Sequence, residues 1–316
     1  MINAEKISVI GSGLMGHGIA QVFACQGFGV TIVDPNAEAL QQAKPRVRAN
    51  LSMMAEQGVS FADGVDDILE RVEITTDMQA GCVGTAFVIE AVFENMALKQ
   101  DVFAELDRIC PTDVILCSNT SVMSITQIAS KAQHRERIVG THWWNPPYLI
   151  PLVEVVRTEQ ASDHAVEAAF ELLTRAGKTP IRVNRDVPGF VGNRMQHALW
   201  REAFAIIDEG ICDAATVDLA VRNSFGLRLS VLGPVENADM IGLDLTKAIH
   251  DYVVPHISAE ATTSTIVQRL ISEGQMGFKS GRGFLAWSDE DIAASRRRLL
   301  EYLVKVSVGP LPNPPP

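Results

Sequence analysis

Between Lys6 and Val33 the chain changes its hydrophobic period twice. Lys6 to Ile10 is a short β-branched run, Leu14 to Cys25 has helical spacing, and Val30 to Val33 is a second apolar run closed by Asp34 and Pro35. Two mainly apolar strands joined by a helical crossover predict buried, parallel neighbours, because strands covered on both faces need no polar side.

The pattern continues more loosely. Ala37 to Glu56 predicts a helix, "VEITT" a strand, "TAFVIEAV" a stronger one, Leu98 to Ile109 a helix, "DVILCSN" a strand and "SITQIAS" a short helix. "RIVGTH" and "LVEVVR" are strands in succession, then "DHAVEAAFELLTRAG" is a helix and "TPIRV" the last strand. This alternation predicts an α/β domain with a Rossmann-type doubly wound sheet, and the strand-to-strand passage after His142 predicts an antiparallel addition near one edge.

After Asp186 helical patterns take over: Gly189 to Glu209, Cys212 to Val221, Val235 to His256, Ser264 to Glu273, and Asp289 to Val306 with its basic run at Arg296, Arg297 and Arg298. The texture divides the chain into residues 1–185, a nucleotide-binding domain, and 186–316, an all-helical domain. The tail "GPLPNPPP" lacks the amide donors of a helix or central strand and is expected to be loose.

A length of 316 residues favours two domains. The net charge of -11 speaks against nucleic acid or an anionic membrane as partner, while allowing one phosphate-bearing ligand in a local pocket. The 5 cysteines are widely spaced, with no CxxC pair and no Cys/His metal pattern, and predict reduced thiols and no metal. The N-terminus lacks a signal h-region and no run approaches the roughly 18 apolar residues of a membrane helix, so a cytoplasmic protein is expected.

Gly11, Gly13 and Gly16 fit G-x-G-x-x-G directly after a strand and opening a helix. The first glycine permits the tight turn, the second clears the approach of a pyrophosphate, and the third lets helix and strand close up. Leu14 and Met15 open the helix whose amides face the phosphates. Asp34, at the end of the second strand, suits the adenine-side ribose hydroxyls and would repel a 2′-phosphate, which favours NAD over NADP. FAD uses the same fingerprint, and glycines of an unrelated turn with Asp34 as a helix cap are the bland alternative.

Oxidising an alcohol onto a nicotinamide requires a base for the hydroxyl proton, and histidine suits the task because its unperturbed pKa is near neutrality. Of the 7 histidines, His142 ends a strand candidate and faces Glu154 across a proline-rich connection. Base and orienter is one reading, and a core or capping histidine the other. Trp143 and Trp144 are candidates for a wall against nicotinamide or substrate, or ordinary core aromatics.

Several segments together resemble the L-3-hydroxyacyl-CoA dehydrogenase family over nearly the whole chain: "VIGSGLMGHGIAQVFA", "VIEAVFEN", "SNTSVMSI", the His142 to Glu154 segment, "DVPGFVGNR", "GPVENADMIGLD" and "GFKSGRGF". The resemblance implies an NAD-dependent 3-hydroxyacyl-CoA dehydrogenase, a homodimer through the helical domain, with its active site between domains. It also implies His142 as base, Glu154 as its orienting acid, and Ser121 and Asn193 as donors to the substrate oxygen. Glu94 and Asn119 become neighbours of the cofactor, as does Asn95, and Trp143 and Trp144 of the substrate.

Two departures bear on the substrate. The family pattern "HFFNPVPVMKLVEV" reads "HWWNPPYLIPLVEV" here, so that its lysine is Pro151. Asn50 to Glu70, where CoA-using relatives present lysines, has no lysine or arginine and carries Glu56, Asp63, Asp66, Asp67 and Glu70. CoA phosphates would then need cations from elsewhere, such as Lys279 and Arg282. The departures are similar to the branch that oxidises small free hydroxy acids, such as gulonate, carnitine or an intermediate of pyridoxine breakdown. A CoA thioester is the family expectation and a free acid its alternative; a non-catalytic crystallin-type role is a remote third, since the glycine loop, His142 and Glu154 are intact.

Overall fold

The computed structural model describes residues 6–307, and the proline-rich tail lies outside them. Eight strands, β1 (Lys6–Ile10), β2 (Gly29–Val33), β3 (Val72–Thr75), β4 (Thr85–Glu90), β5 (Ile115–Ser118), β6 (Ile138–Trp143), β7 (Leu152–Val156) and β8 (Thr179–Val183), form one sheet in the order β3-β2-β1-β4-β5-β6-β7-β8. Every pair from β3 to β6 is parallel, β7 runs antiparallel to β6, and β8 is parallel to β7. The expected doubly wound sheet and its antiparallel addition are both present.

The chain moves from β1 outward to β2 and β3, then returns to β4 on the other side of β1. That reversal opens a crevice at the carboxyl ends of β1 and β4, where open α/β sheets bind ligands. The first unit also holds α1 (Leu14–Cys25), α2 (Ala37–Gln41), α3 (Ala43–Glu56), α4 (Val65–Glu70), α5 (Met78–Gly81), α6 (Met96–Ile109), α7 (Ile125–Ile128) and α8 (Asp163–Arg175).

Alternation along the strands sorts the core into two layers. Ile7, Val9, Ile89, Cys117, Trp143 and Val155 bury one face with Phe23 of α1 and Leu172 of α8. Ile10, Val88, Leu116 and Ile138 bury the other with Phe103 and Leu106 of α6 and Ile125 of α7. Both layers hold the strand ends rigid.

The single helix expected over residues 37–56 is two, α2 and α3, meeting at Gln42. Pro45 is the physical reason: it has no amide hydrogen for the Gln41 carbonyl and its ring crowds that oxygen, so the ladder is interrupted and Pro45 falls in a first turn, where it is tolerated.

The described chain separates into two compact units, residues 6–194 with 301–307, and residues 195–300. The helices after β8 are α9 (Gly192–Asp208), α10 (Ala214–Arg222), α11 (Phe225–Arg228), α12 (Pro234–Ile241), α13 (Leu243–Val253), α14 (Thr265–Ser272) and α15 (Asp289–Ser307). A break at Gly242, whose φ is +94°, divides the helical segment expected over 235–256. The architecture is a Rossmann-like α/β domain followed by helices. Among the described residues no helix is long and apolar enough to cross a membrane.

Candidate active site

The glycine loop leaves β1 with Gly11 at φ +106°, its amide donating to the Val33 carbonyl of β2 at 2.7 Å. A Cβ on Gly11 would lie 2.6 Å from the Ala91 oxygen, and one on Gly16 1.8 Å from the Gly11 oxygen, so both are fixed by backbone packing. Gly13 differs, because a Cβ there would meet nothing within 4 Å. Gly13 is also the N-cap of α1 and supplies no side-chain acceptor, which leaves the first-turn amides at Leu14, Met15 and Gly16 for an outside anion. Open space beside unpaired amides fits a pyrophosphate.

Asp34 follows β2 and turns toward this loop. One carboxylate oxygen accepts the Ser12 amide at 2.8 Å and the Ser12 hydroxyl at 2.7 Å, and the other accepts the Asn36 amide at 2.9 Å. Its remaining lone pairs suit the hydroxyls of an adenine-side ribose. His17 is buried with Nδ1 2.7 Å from the Gly13 oxygen; burial lowers its pKa, so it braces the loop as a neutral ring.

At the far side of the crevice β6 and β7 pair His142 directly opposite Glu154. His142 Nδ1 lies 2.6 Å from Glu154 Oε2, and the two residues are 3% and 0% exposed. Glu154 Oε1 accepts the amides of Val191 at 2.9 Å and Gly192 at 3.0 Å, so the start of α9 receives an anion at its positive end. Burial pushes the Glu154 pKa up, but His142 and the Gly192 and Val191 amides outweigh it and hold the carboxyl below its ordinary value. With Nδ1–H donated to this carboxylate, Nε2 is the lone-pair nitrogen of the ring.

The chain reaches that position through Gly189 at φ +76° and Phe190 at φ +48°, the one non-glycine positive φ among the described residues. Left-handed backbone in a bulky residue is strained and needs support. Phe190 has it: the side chain is buried with its ring 5.7 Å from that of His142.

Ser121 and Asn193 are brought together by a hydrogen bond from Asn193 Nδ2 to the Ser121 oxygen at 3.0 Å. Asn193 follows Gly192 directly, so the strand-end pair and this second pair meet at the start of α9. Glu94 turns inward, accepting Thr120 Oγ1 at 2.5 Å and the Ser121 amide at 3.0 Å. Asn119 accepts the Trp143 amide at 2.9 Å, and Asn95 caps α6 through the Leu98 amide at 3.0 Å.

The two tryptophans part company, which corrects the expectation of a paired aromatic wall. Trp143 has opposite strand parity to His142 and is buried in the core, with Phe23 edge-on at 5.8 Å and the Lys178 ammonium 5.3 Å from its ring centre. Trp144 stays beside His142, ring centres 5.3 Å apart, and its indole occupies the space a Cβ on Gly192 would need, at 2.5 Å.

Sequence reasoning missed Ser12, Phe190 and the Val191 and Gly192 amides. The "PGF" before "VGNR" was the available signal for the sharp entry into α9. Chemically, the arrangement offers a buried, carboxylate-oriented imidazole with one free nitrogen, hydroxyl and amide donors nearby, and an anion cradle across the crevice.

Comparison with known proteins agrees with this geometry. The 3-hydroxyacyl-CoA dehydrogenase NAD-binding domain matches residues 6–187, and the 3-hydroxyacyl-CoA dehydrogenase C-terminal domain matches residues 189–287. The chain is 32% identical over 303 residues to a 5-formyl-3-hydroxy-2-methylpyridine 4-carboxylate 5-dehydrogenase of Mesorhizobium japonicum, covering 96% of this chain and 97% of that one. It is 36% identical over 282 residues to a probable 3-hydroxybutyryl-CoA dehydrogenase of Deinococcus radiodurans, covering 88% and 99%. A crystal structure of a 5-formyl-3-hydroxy-2-methylpyridine 4-carboxylic acid 5-dehydrogenase, described as an NAD+-dependent dismutase, superposes with a TM-score of 0.88 at 32% identity, over 96% of this chain and 97% of that one. The chain belongs to the 3-hydroxyacyl-CoA dehydrogenase family and is an NAD-dependent oxidoreductase.

Proposed function

We propose that this protein is an NAD-dependent dehydrogenase of a small free hydroxy acid, one that carries its own carboxylate and no CoA. The observation that carries this reading is the charge of residues 50–70, the end of α3 and all of α4, which follow the cations of α3 at Lys44, Arg46 and Arg48 with acids alone. The arginines bracketing the lysine-free stretch are engaged by its own acids, Arg48 with Asp66 and Arg71 with Asp63, both at 2.6 Å. Glu56, Asp67 and Glu70 add further negative charge. Phosphates bind where cations or oriented donors are free, and residues 50–70 offer no side-chain cation.

The similarity to the Mesorhizobium japonicum enzyme, whose name specifies a pyridine carboxylate and no CoA, supports a free-acid substrate, although the group named at its 5-position is a formyl, which carries a hydroxyl for a base only as its hydrate. The solved structure reported above, at TM-score 0.88, bears the same substrate name.

In this reading His142 Nε2 takes the hydroxyl proton and Glu154 stabilises the imidazolium that results. Bound NAD supplies the hydride acceptor. The Ser121 hydroxyl and the second N–H of the Asn193 amide donate to the oxygen as it becomes a carbonyl. Gly13, the first-turn amides of α1 and Asp34 would hold the dinucleotide, and Glu94 and Asn119 would stand beside it in the crevice. Trp144 bounds the substrate beside His142.

The helical residues support a homodimer as the working form. Leu245, Ile249 and Tyr252 of α13, at i, i+4 and i+7, share one helix face and are 50%, 44% and 77% exposed, an apolar stripe of the kind that a partner covers. Light scattering should give twice the chain mass; a monomer at micromolar concentration would remove this part.

Coenzyme A itself tests the substrate class. Titrated by calorimetry into the NAD-loaded protein, it should bind no tighter than about 1 mM, weaker than about -4.1 kcal/mol. A micromolar dissociation constant would contradict the proposal.

A further inference from the structure

Behind the candidate site lies a buried ion pair that carries no role in the chemistry proposed above, although it contacts Glu94, which does. Glu90 ends β4 and Lys99 sits in the first turns of α6, and the two are 0% and 1% exposed. Lys99 Nζ lies 2.7 Å from Glu90 Oε1, 3.3 Å from Glu94 Oε2 and 3.4 Å from the Val92 oxygen. Glu90 Oε1 also accepts the Val92 amide at 2.8 Å, and Oε2 accepts the Ser118 hydroxyl at 2.8 Å.

On stability grounds a lysine here is poorly chosen. An ammonium is costly to bury, and near the positive end of a helix it is disfavoured again. Packing alone would be served as well by an apolar residue. What the ammonium does is hold two carboxylates together that would otherwise repel, and the half-buried one, Glu94, is the acceptor for Thr120 Oγ1 and the Ser121 amide. The Ser121 carbonyl in turn accepts from Asn193. The connection runs from Glu90 through Lys99 and Glu94 to the Ser121 loop, each step a contact of 3.3 Å or less.

We infer that Lys99 and Glu90 are positioning residues: the buried pair anchors Glu94, and Glu94 sets the backbone of Ser121 and, through it, the amide of Asn193. Neither residue of the pair touches substrate. The catalytic consequence rests on the proposed role of Ser121 and Asn193 as donors; the structural claim does not. Without the ammonium, Glu90 repels Glu94 and the Ser121 amide loses its acceptor to solvent.

Hydrogen exchange by mass spectrometry reads this directly on the whole protein and without substrate. In Lys99→Met the peptide covering 118–125 should exchange at least about tenfold faster than in wild type, while peptides of β1 and α1 stay unchanged, because local opening and global unfolding are separable. Lys99→Met/Glu90→Gln leaves no uncompensated buried charge in the pair; it should accelerate the same peptide by less than the single variant, because the ammonium contact to Glu94 is lost while the Glu90 repulsion is gone. Turnover should fall in parallel on whichever alcohol the wild type oxidises. Unchanged exchange at 118–125 in a folded variant would overturn the inference, as would an equal rise across β1 and α1, which marks a merely structural role. A failure of the free-acid proposal would leave the exchange result intact.

Discussion

One carboxylate, Glu154, fastens His142 to the start of α9: Oε2 lies 2.6 Å from the imidazole Nδ1, and Oε1 accepts the amides of Val191 and Gly192. The carboxylate that fixes the imidazole is thus the one that orders the segment leading to Asn193. His142→Asn should lower kcat by roughly 10² to 10⁴ with NAD affinity nearly unchanged, because it removes the proton acceptor and little else. Glu154→Gln should act in the same direction and less. Near wild-type turnover in His142→Asn would leave the proton without an acceptor and sink the assignment.

The same contact gives a pH dependence whose sign is fixed. The Glu154 carboxyl is held below its ordinary value of 4.5 in the folded protein. As pH falls through that value the unfolded chain takes up a proton that the folded chain refuses. The stabilisation is thus complete above about pH 4.5 and lost as pH drops through the folded pKa. Thermal melts at pH 7 and at pH 4 should show a smaller drop in Tm for Glu154→Gln than for wild type; equal drops would deny the depressed carboxyl.

Gly13→Ala separates folding from cofactor binding. Nothing stands within 4 Å of the added Cβ, so Tm should hold within a degree or two while the methyl blocks the pyrophosphate. NAD affinity should weaken at least about tenfold, or 1.4 kcal/mol. Titration by calorimetry giving the wild-type dissociation constant would place the dinucleotide elsewhere.

Asp34 decides between the two nicotinamide cofactors. Its carboxylate already faces the loop through Ser12, so a 2′-phosphate would meet a negative charge, and NAD should bind at least about tenfold tighter than NADP. Asp34→Ala should narrow that gap. Equal affinities in the wild type would remove the argument.

Much of this was legible in the sequence where the signal is local. The change of period at Gly11 and again at Gly29 wrote out β1, the loop, α1 and β2, and the unbroken strand signals around Pro146 announced the antiparallel β6 and β7 that set His142 against Glu154. For Trp143 the choice between site wall and core aromatic stays open on composition, although the period of two carries the answer: one residue beyond His142 points to the opposite face. Other features are not local at all. That Asn193 reaches the carbonyl of Ser121, and that Lys99 folds back between Glu90 and Glu94, depends on where β4, β5 and α9 meet in space. The left-handed Phe190 depends on packing against His142, which no pattern of residues 186–194 specifies. Gln42 illustrates a smaller loss, since amphipathic spacing continued through a break that Pro45 imposes three residues later.

The central claim is that NAD oxidises a small free acid whose hydroxyl proton His142 and Glu154 take up, and the ratio of kcat/KM values tests it most directly. Wild-type enzyme with NAD would be assayed in one series on 3-hydroxybutyryl-CoA, 3-hydroxybutyrate, gulonate, carnitine and 5-formyl-3-hydroxy-2-methylpyridine 4-carboxylate. A CoA enzyme spends its remote nucleotide contacts on the reacting carbon, so its thioester outruns any free acid by orders of magnitude. The account predicts that at least one free acid is turned over with a kcat/KM equal to or above that of the thioester. A thioester preference of more than about 10³ over every free acid, about 4 kcal/mol of transition-state binding, would contradict it.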